Sequence, residues 1–110
     1  MRLVILESPY AGNVEQNLAY ARRCVRDSLN RGESPIASHL LYTQPGILDD
    51  NNLEERNLGI RAGLSWILLA DAMVVYKDLG ISPGMERGIV EASFYHVKVE
   101  FRSLKEPFKG

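Results

Sequence analysis

Residues 71–92 read DAMVVYKDLGISPGMERGIVEA. The run from Ala72 to Tyr76 is apolar without alternation, the pattern of a strand covered on both faces. Asp78, Gly80, Ser82, Pro83 and Gly84 then crowd into a few positions that no strand easily traverses. Ser82 is a good N-cap residue and Pro83 suits a first helical turn, so a third helix is expected from Pro83 onward. The segment reads as strand, tight turn, helix.

The same unit recurs toward the N-terminus. RLVILE (2–7) is a short apolar run ended by the turn-like SPYAGN, with Asn13 as the N-cap of a helix whose apolar positions Val14, Leu18, Ala21, Val25 and Leu29 recur every three or four residues. Gly32 is placed to stop that helix. PIASHLLY (35–42) is a second candidate strand, with 35–41 as its centre, followed by a loop, TQPGILDDNN. From Leu53 to Leu69 the spacing of Ile60, Leu64, Ile67 and Leu68 is helical. KVEFRSL (98–104) alternates as an edge strand would, and KEPFKG (105–110) is a tail. The order β-α-β-α-β-α-β predicts an α/β fold of three layers, a flavodoxin-like or Rossmann-like parallel sheet with right-handed crossovers. In such sheets ligands bind beyond the carboxyl ends of the strands, where ESPYAGN, LLYTQPG and KDLGISPGM would meet.

Composition narrows the function. A chain of 110 residues with 45% apolar content supports one core, predicted as a single domain over 1–104. Thirteen basic and 14 acidic residues, net charge -1, provide no field for a nucleic-acid polymer or an anionic membrane. No apolar run is long enough to span a bilayer, and RLVILES is too short for a signal peptide, so a cytoplasmic protein is expected. Cys24 is the sole cysteine, and the two histidines lie far apart, which excludes intrachain disulfides and thiolate zinc sites and predicts a site without metal or cofactor.

Several residues are candidates for a site, each with a structural alternative. Ser8, Tyr10 and Asn13 offer hydroxyl, phenol and amide groups to a sugar or base, or form a turn with a capping Asn. Gly80, Ser82, Gly84 and Met85 shape a helix start whose free N–H groups suit a phosphate; capping alone also explains them, and a P-loop lysine is lacking. His39 and Tyr42 could reach the crevice, although a lone His is more often structural. Arg56 and Arg61 are phosphate candidates or solvated helix charges. Trp66 is core or interface, and Gly59 with Gly63 implies close packing of the second helix on the sheet or on a second subunit.

From VILESPYAG through ADAMVVYKDLGISPGM to Ala92 the chain resembles the nucleoside 2-deoxyribosyltransferase-like superfamily, within it a small phage-associated branch. The most telling features are Ala70-Asp71 before the third strand, the acidic Asp78 at its end, and the Ser82-x-Gly84 helix start. The resemblance implies a flavodoxin-like sheet, binding of nucleosides or nucleoside monophosphates at the strand ends, and a homodimer or larger assembly formed through helices. Catalytic members carry a Glu nucleophile four residues after the helix-start glycine, and here that position is Gly88. Glu86 and Glu91 lie about 160° and about 60° around the helix from it. Asp78 matches an acidic position that orients substrate or assists the leaving base. The resemblance therefore implies a non-catalytic holder of a nucleotide derivative, such as a phage sponge for a cyclic ADP-ribose isomer acting as an immune signal. The alternative is a deoxyribosyltransferase or nucleotide N-glycosidase using Glu86 or Glu91 with Asp78.

Overall fold

The structure, a computed structural model, describes residues Met1–Gly110. Its elements in chain order are β1 (Arg2–Glu7), α1 (Val14–Asn30), β2 (Glu33–Ile36), α2 (Ser38–Leu41), α3 (Leu53–Ser65) running into a 3-10 turn (Trp66–Leu69), β3 (Ala72–Tyr76), α4 (Pro83–Phe94) and β4 (Lys98–Arg102). The four strands form one parallel sheet in the order β2-β1-β3-β4. The chain thus winds one way from β1 to β2 and the other way to β3 and β4, and the switch point lies between β1 and β3. The expected three-layer, flavodoxin-like α/β architecture is the one found.

Every residue of β3 is buried, as its unbroken apolar run requires. Val4, Leu6, Val74 and Tyr76 face α1, packing on Tyr20 and Cys24. Ile5, Met73 and Val75 face the opposite layer, meeting Ile67 of the 3-10 turn and Met85 and Ala92 of α4. Burying side chains of this size contributes roughly 1.5–3 kcal/mol each, enough to fix both helical layers to the sheet. The terminal segment joins the first layer, with the Phe108 ring edge-on to Tyr20 at 5.2 Å between centroids. No helix is long and apolar enough to cross a membrane.

Two sequence expectations are corrected. The second strand covers Glu33–Ile36, not 35–42, and residues 38–41 form the one-turn helix α2. ESPI lacks strand patterning because β2 is an edge strand held partly by charge. Glu33 accepts hydrogen bonds from Arg102 at 2.8 and 2.9 Å, from Arg2 at 2.6 Å and from Ser28 at 2.7 Å. Arg102 above all holds its carboxyl down to about 2. Pro35 is tolerated because an edge strand needs only one of its two rows of hydrogen bonds. The Ala37 carbonyl then accepts from the N–H groups of Leu40 and Leu41 at 3.1 and 2.9 Å, turning the chain into a helix that packs Leu40 on the core. Strand β4 likewise ends at Arg102, short of the expected Leu104.

Candidate functional site

Strand β1 ends in Glu7, and the chain then turns through Ser8, Pro9 and Tyr10. The turn is pinned by the Asn17 side-chain amide, which donates to the carbonyls of Tyr10 and Ala11 at 2.9 and 3.1 Å. Ser8 is buried, and its Oγ shares a 2.5 Å hydrogen bond with Nε2 of His39, presented by α2. Burial drives the His39 imidazole down to about 4, so it is neutral above that pH.

Helix α4 starts beside this turn. Ser82 is its N-cap, accepting at Oγ from the Met85 N–H at 3.3 Å, while the Met85 sulfur accepts from the Ser82 N–H at 3.4 Å. Pro83 has no N–H to satisfy, and Glu86 N–H bonds to the Ser82 carbonyl at 3.0 Å. The Gly84 N–H is therefore the donor of the first turn left without a protein partner.

Between these elements lies a cavity of about 510 Å³ at the carboxyl ends of β1 and β3. Ile5, Ile67 and Met73 supply apolar wall, and Arg56 of α3 and Arg87 of α4 reach it with no carboxylate partner. Glu7 also opens onto it. Its carboxyl accepts no hydrogen bond and forms no ion pair, and burial pushes it up to about 8. It can sit there because residue 88 is glycine: a Cβ at that position would stand 2.5 Å from Glu7 Oε1 and 3.1 Å from Cδ. The space in front of position 88 is thus filled by a carboxyl arriving from β1. Ser8, His39 and Glu7 do not form a relay, since the only hydrogen bond of the His39 ring is the one it shares with Ser8.

Of the residues singled out in the sequence, Ser8, Tyr10, His39, Tyr42, Ser82, Gly84 and Met85 line the cavity. Three others serve the scaffold. Asn13 caps α1, accepting from the Gln16 N–H at 3.2 Å. Gly80, at φ 87°, makes the turn after β3. Asp78 accepts from the Tyr20 hydroxyl at 2.5 Å and the Leu104 N–H at 3.1 Å, tying α1 and the segment after β4 to the end of β3. Glu86 is exposed outside the cavity, and Glu91 lines a separate shallow groove with Arg61 between α3 and α4. Trp66 donates to the Tyr42 hydroxyl at 3.2 Å. Gly59 and Gly63 face Leu48 and Ser38, so this glycine pair lets α3 approach α2 and its following loop instead of the sheet. No three His, Cys, Asp or Glu side chains converge as metal ligands.

Glu7 and Arg87 are not among the residues that the sequence singles out. A signal for Glu7 exists: it is the sole charge ending the buried strand β1, at the strand position nearest the switch point. No comparable signal marks Arg87 among the exposed helical charges.

The chain is similar in structure to the 2-deoxyribosyltransferase of the psychrotolerant bacterium Bacillus psychrosaccharolyticus, with a TM-score of 0.61 and 16% sequence identity, over 97% of this chain and 77% of that one. At that identity the likeness establishes the fold. No curated protein sequence matches the chain. A family profile does match, over residues 2–102, and by that match the chain belongs to DUF7768, a domain of unknown function.

Proposed function

We propose that the cavity binds a nucleotide-like small molecule, a nucleoside monophosphate or a close ribosyl relative. The observation that carries this reading is the convergence, at the sheet's switch point, of the free Gly84 N–H, the unpaired guanidinium groups of Arg56 and Arg87, and the Tyr10 and Tyr42 rings around about 510 Å³. Each suits one part of such a ligand. A helix start and two guanidinium groups favour phosphate oxygens, and phenol rings offer a face to a base and a hydroxyl to a sugar. The volume falls within the roughly 300–1,000 Å³ of small-molecule sites. The shared fold with a 2-deoxyribosyltransferase agrees with a nucleoside-type ligand.

Both a sponge that holds a nucleotide signal and an enzyme that cleaves one begin with this binding step. The inert-holder reading rests on Gly88 having no carboxylate, and Glu7 places one against that same glycine.

Calorimetric titration with AMP, dAMP, CMP, adenosine and inorganic phosphate tests the reading. Monophosphates are expected to bind more tightly than nucleosides, with Arg87→Ala weakening the monophosphates by about tenfold and the nucleosides little. Absence of binding by every nucleotide at millimolar concentration would refute it.

A further inference from the structure

Resting on that binding reading, we propose that Glu7 is the acid–base group that cleaves the N-glycosidic bond of the bound nucleotide, its carboxyl reaching the site from β1 where α4 presents only Gly88. Three observations carry the proposal. The carboxyl opens onto the cavity with no donor or cation to occupy it, whereas Asp27, Glu33, Asp78 and Glu100 each accept hydrogen bonds from named partners. The glycine at position 88 leaves it space, since any Cβ there would collide with Glu7 Oε1. And the carboxyls that the sequence alone offered for chemistry, Glu86, Glu91 and Asp78, all lie off the cavity.

The reaction balances with water as the only co-reactant. As the bond from C1′ to the base nitrogen breaks, its electron pair leaves with the base, and the Glu7 carboxyl gives its proton to a ring nitrogen or carbonyl oxygen of that base. Water then bonds through its oxygen to C1′, and the Glu7 carboxylate takes the proton that water loses. The products are free base and ribose phosphate, and Glu7 ends as it began. A carboxyl raised to about 8 is mostly protonated at neutral pH, the form the first step needs. The other titratable groups on the cavity wall are Tyr10, His39, Tyr42, Asp50, Glu55, Arg56 and Arg87, and none pairs with Glu7. Ser8 and neutral His39 are placed to orient a sugar hydroxyl or the water.

The purified full chain is incubated with AMP, GMP, CMP, UMP and their deoxy counterparts. Free base is measured by chromatography, and binding of each nucleotide is measured separately by calorimetry. At least one nucleotide is expected to release base, with a rate that falls as pH rises through about 8. Glu7→Gln is expected to lower release by about 100-fold or more while changing Kd by about threefold at most. Gly88→Ala, which pushes the carboxyl aside from the other direction, is expected to lower release by about tenfold with binding kept. Release within about threefold of wild type in folded Glu7→Gln would overturn the proposal. So would a nucleotide that binds yet is recovered intact from wild-type protein at every pH, and in that case the binding reading would stand alone. Failure of every nucleotide to bind would remove both.

Discussion

Replacing Glu7 with Gln keeps the size and shape of the side chain and removes its ionisation, so its effect on stability isolates the cost of a partly buried, unpartnered carboxylate. Folding holds the carboxyl at about 8 against an ordinary 4.5. The folded state therefore binds more protons than the unfolded state between those values, and wild-type stability falls as pH rises through that window and levels off above it. At about 1.4 kcal/mol per pH unit the difference has an upper bound of about 5 kcal/mol. Water entering the cavity mouth screens the charge and brings the expected loss to about 2–4 kcal/mol. Urea unfolding of wild type and Glu7→Gln, followed by circular dichroism at intervals from about pH 4.5 to about pH 9, reads this directly. The two proteins are expected to be of similar stability at the acid end, with the Gln variant gaining steadily up to about pH 8. Parallel curves across the range would mean that Glu7 is solvated or paired in the folded protein, and would remove the physical basis for proposing it as a proton donor.

The contact between Glu7 and Gly88 implies a double-mutant cycle: Gly88→Glu alone is expected to cost about 3 kcal/mol or more through overpacking and a second carboxylate, and Glu7→Gly in the same chain to recover most of it. Additive effects in denaturant unfolding would contradict the close approach. His39 contributes in the opposite pH direction. Its folded value of about 4, below the ordinary 6.5 because of burial, leaves its contribution intact above about 6.5 and removes up to about 3 kcal/mol as pH falls toward 4, a loss that His39→Gln should abolish in acid unfolding curves. Asp78→Ala is expected to destabilise the protein by about 1–3 kcal/mol, because it strands the buried Tyr20 hydroxyl and the Leu104 N–H, while leaving the nucleotide Kd unchanged in calorimetry. A lost affinity without lost stability would make Asp78 a ligand residue instead.

The elements that could be read from the sequence are those whose signal is local. The unbroken apolar run of β3 reflects burial on both faces, and Ser82-Pro83 marks the start of α4 because capping needs those residue types within one turn. Strand β2 starts earlier than its local pattern suggests because ESPI is stabilised by Arg2 and Arg102, which are distant in sequence, while the apolar HLLY, strand-like in composition, belongs to a single turn of helix and its exit. The site divides in the same way. Its helix start and the Ser8-Tyr10 turn were legible. The hydrogen bond that ties Asp78 into the scaffold is not legible, because a carboxylate at a strand end looks free until Tyr20, 58 residues away, is seen to donate to it. Glu7 is hidden for the converse reason: in the sequence Gly88 is a position without a carboxylate, and only the approach of Gly88 to Glu7 in the fold shows a carboxyl standing beside it.

A crystal structure of Glu7→Gln, which should bind without turnover, in complex with a nucleoside monophosphate would show whether a nucleotide sits at the ends of β1 and β3 with its glycosidic bond at residue 7. The phosphate is expected within about 3 Å of the Gly84 N–H and against Arg87, with the base ring within hydrogen-bond reach of residue 7. A nucleotide bound outside this cavity, or inside it with its base and anomeric carbon turned away from residue 7, would contradict the account.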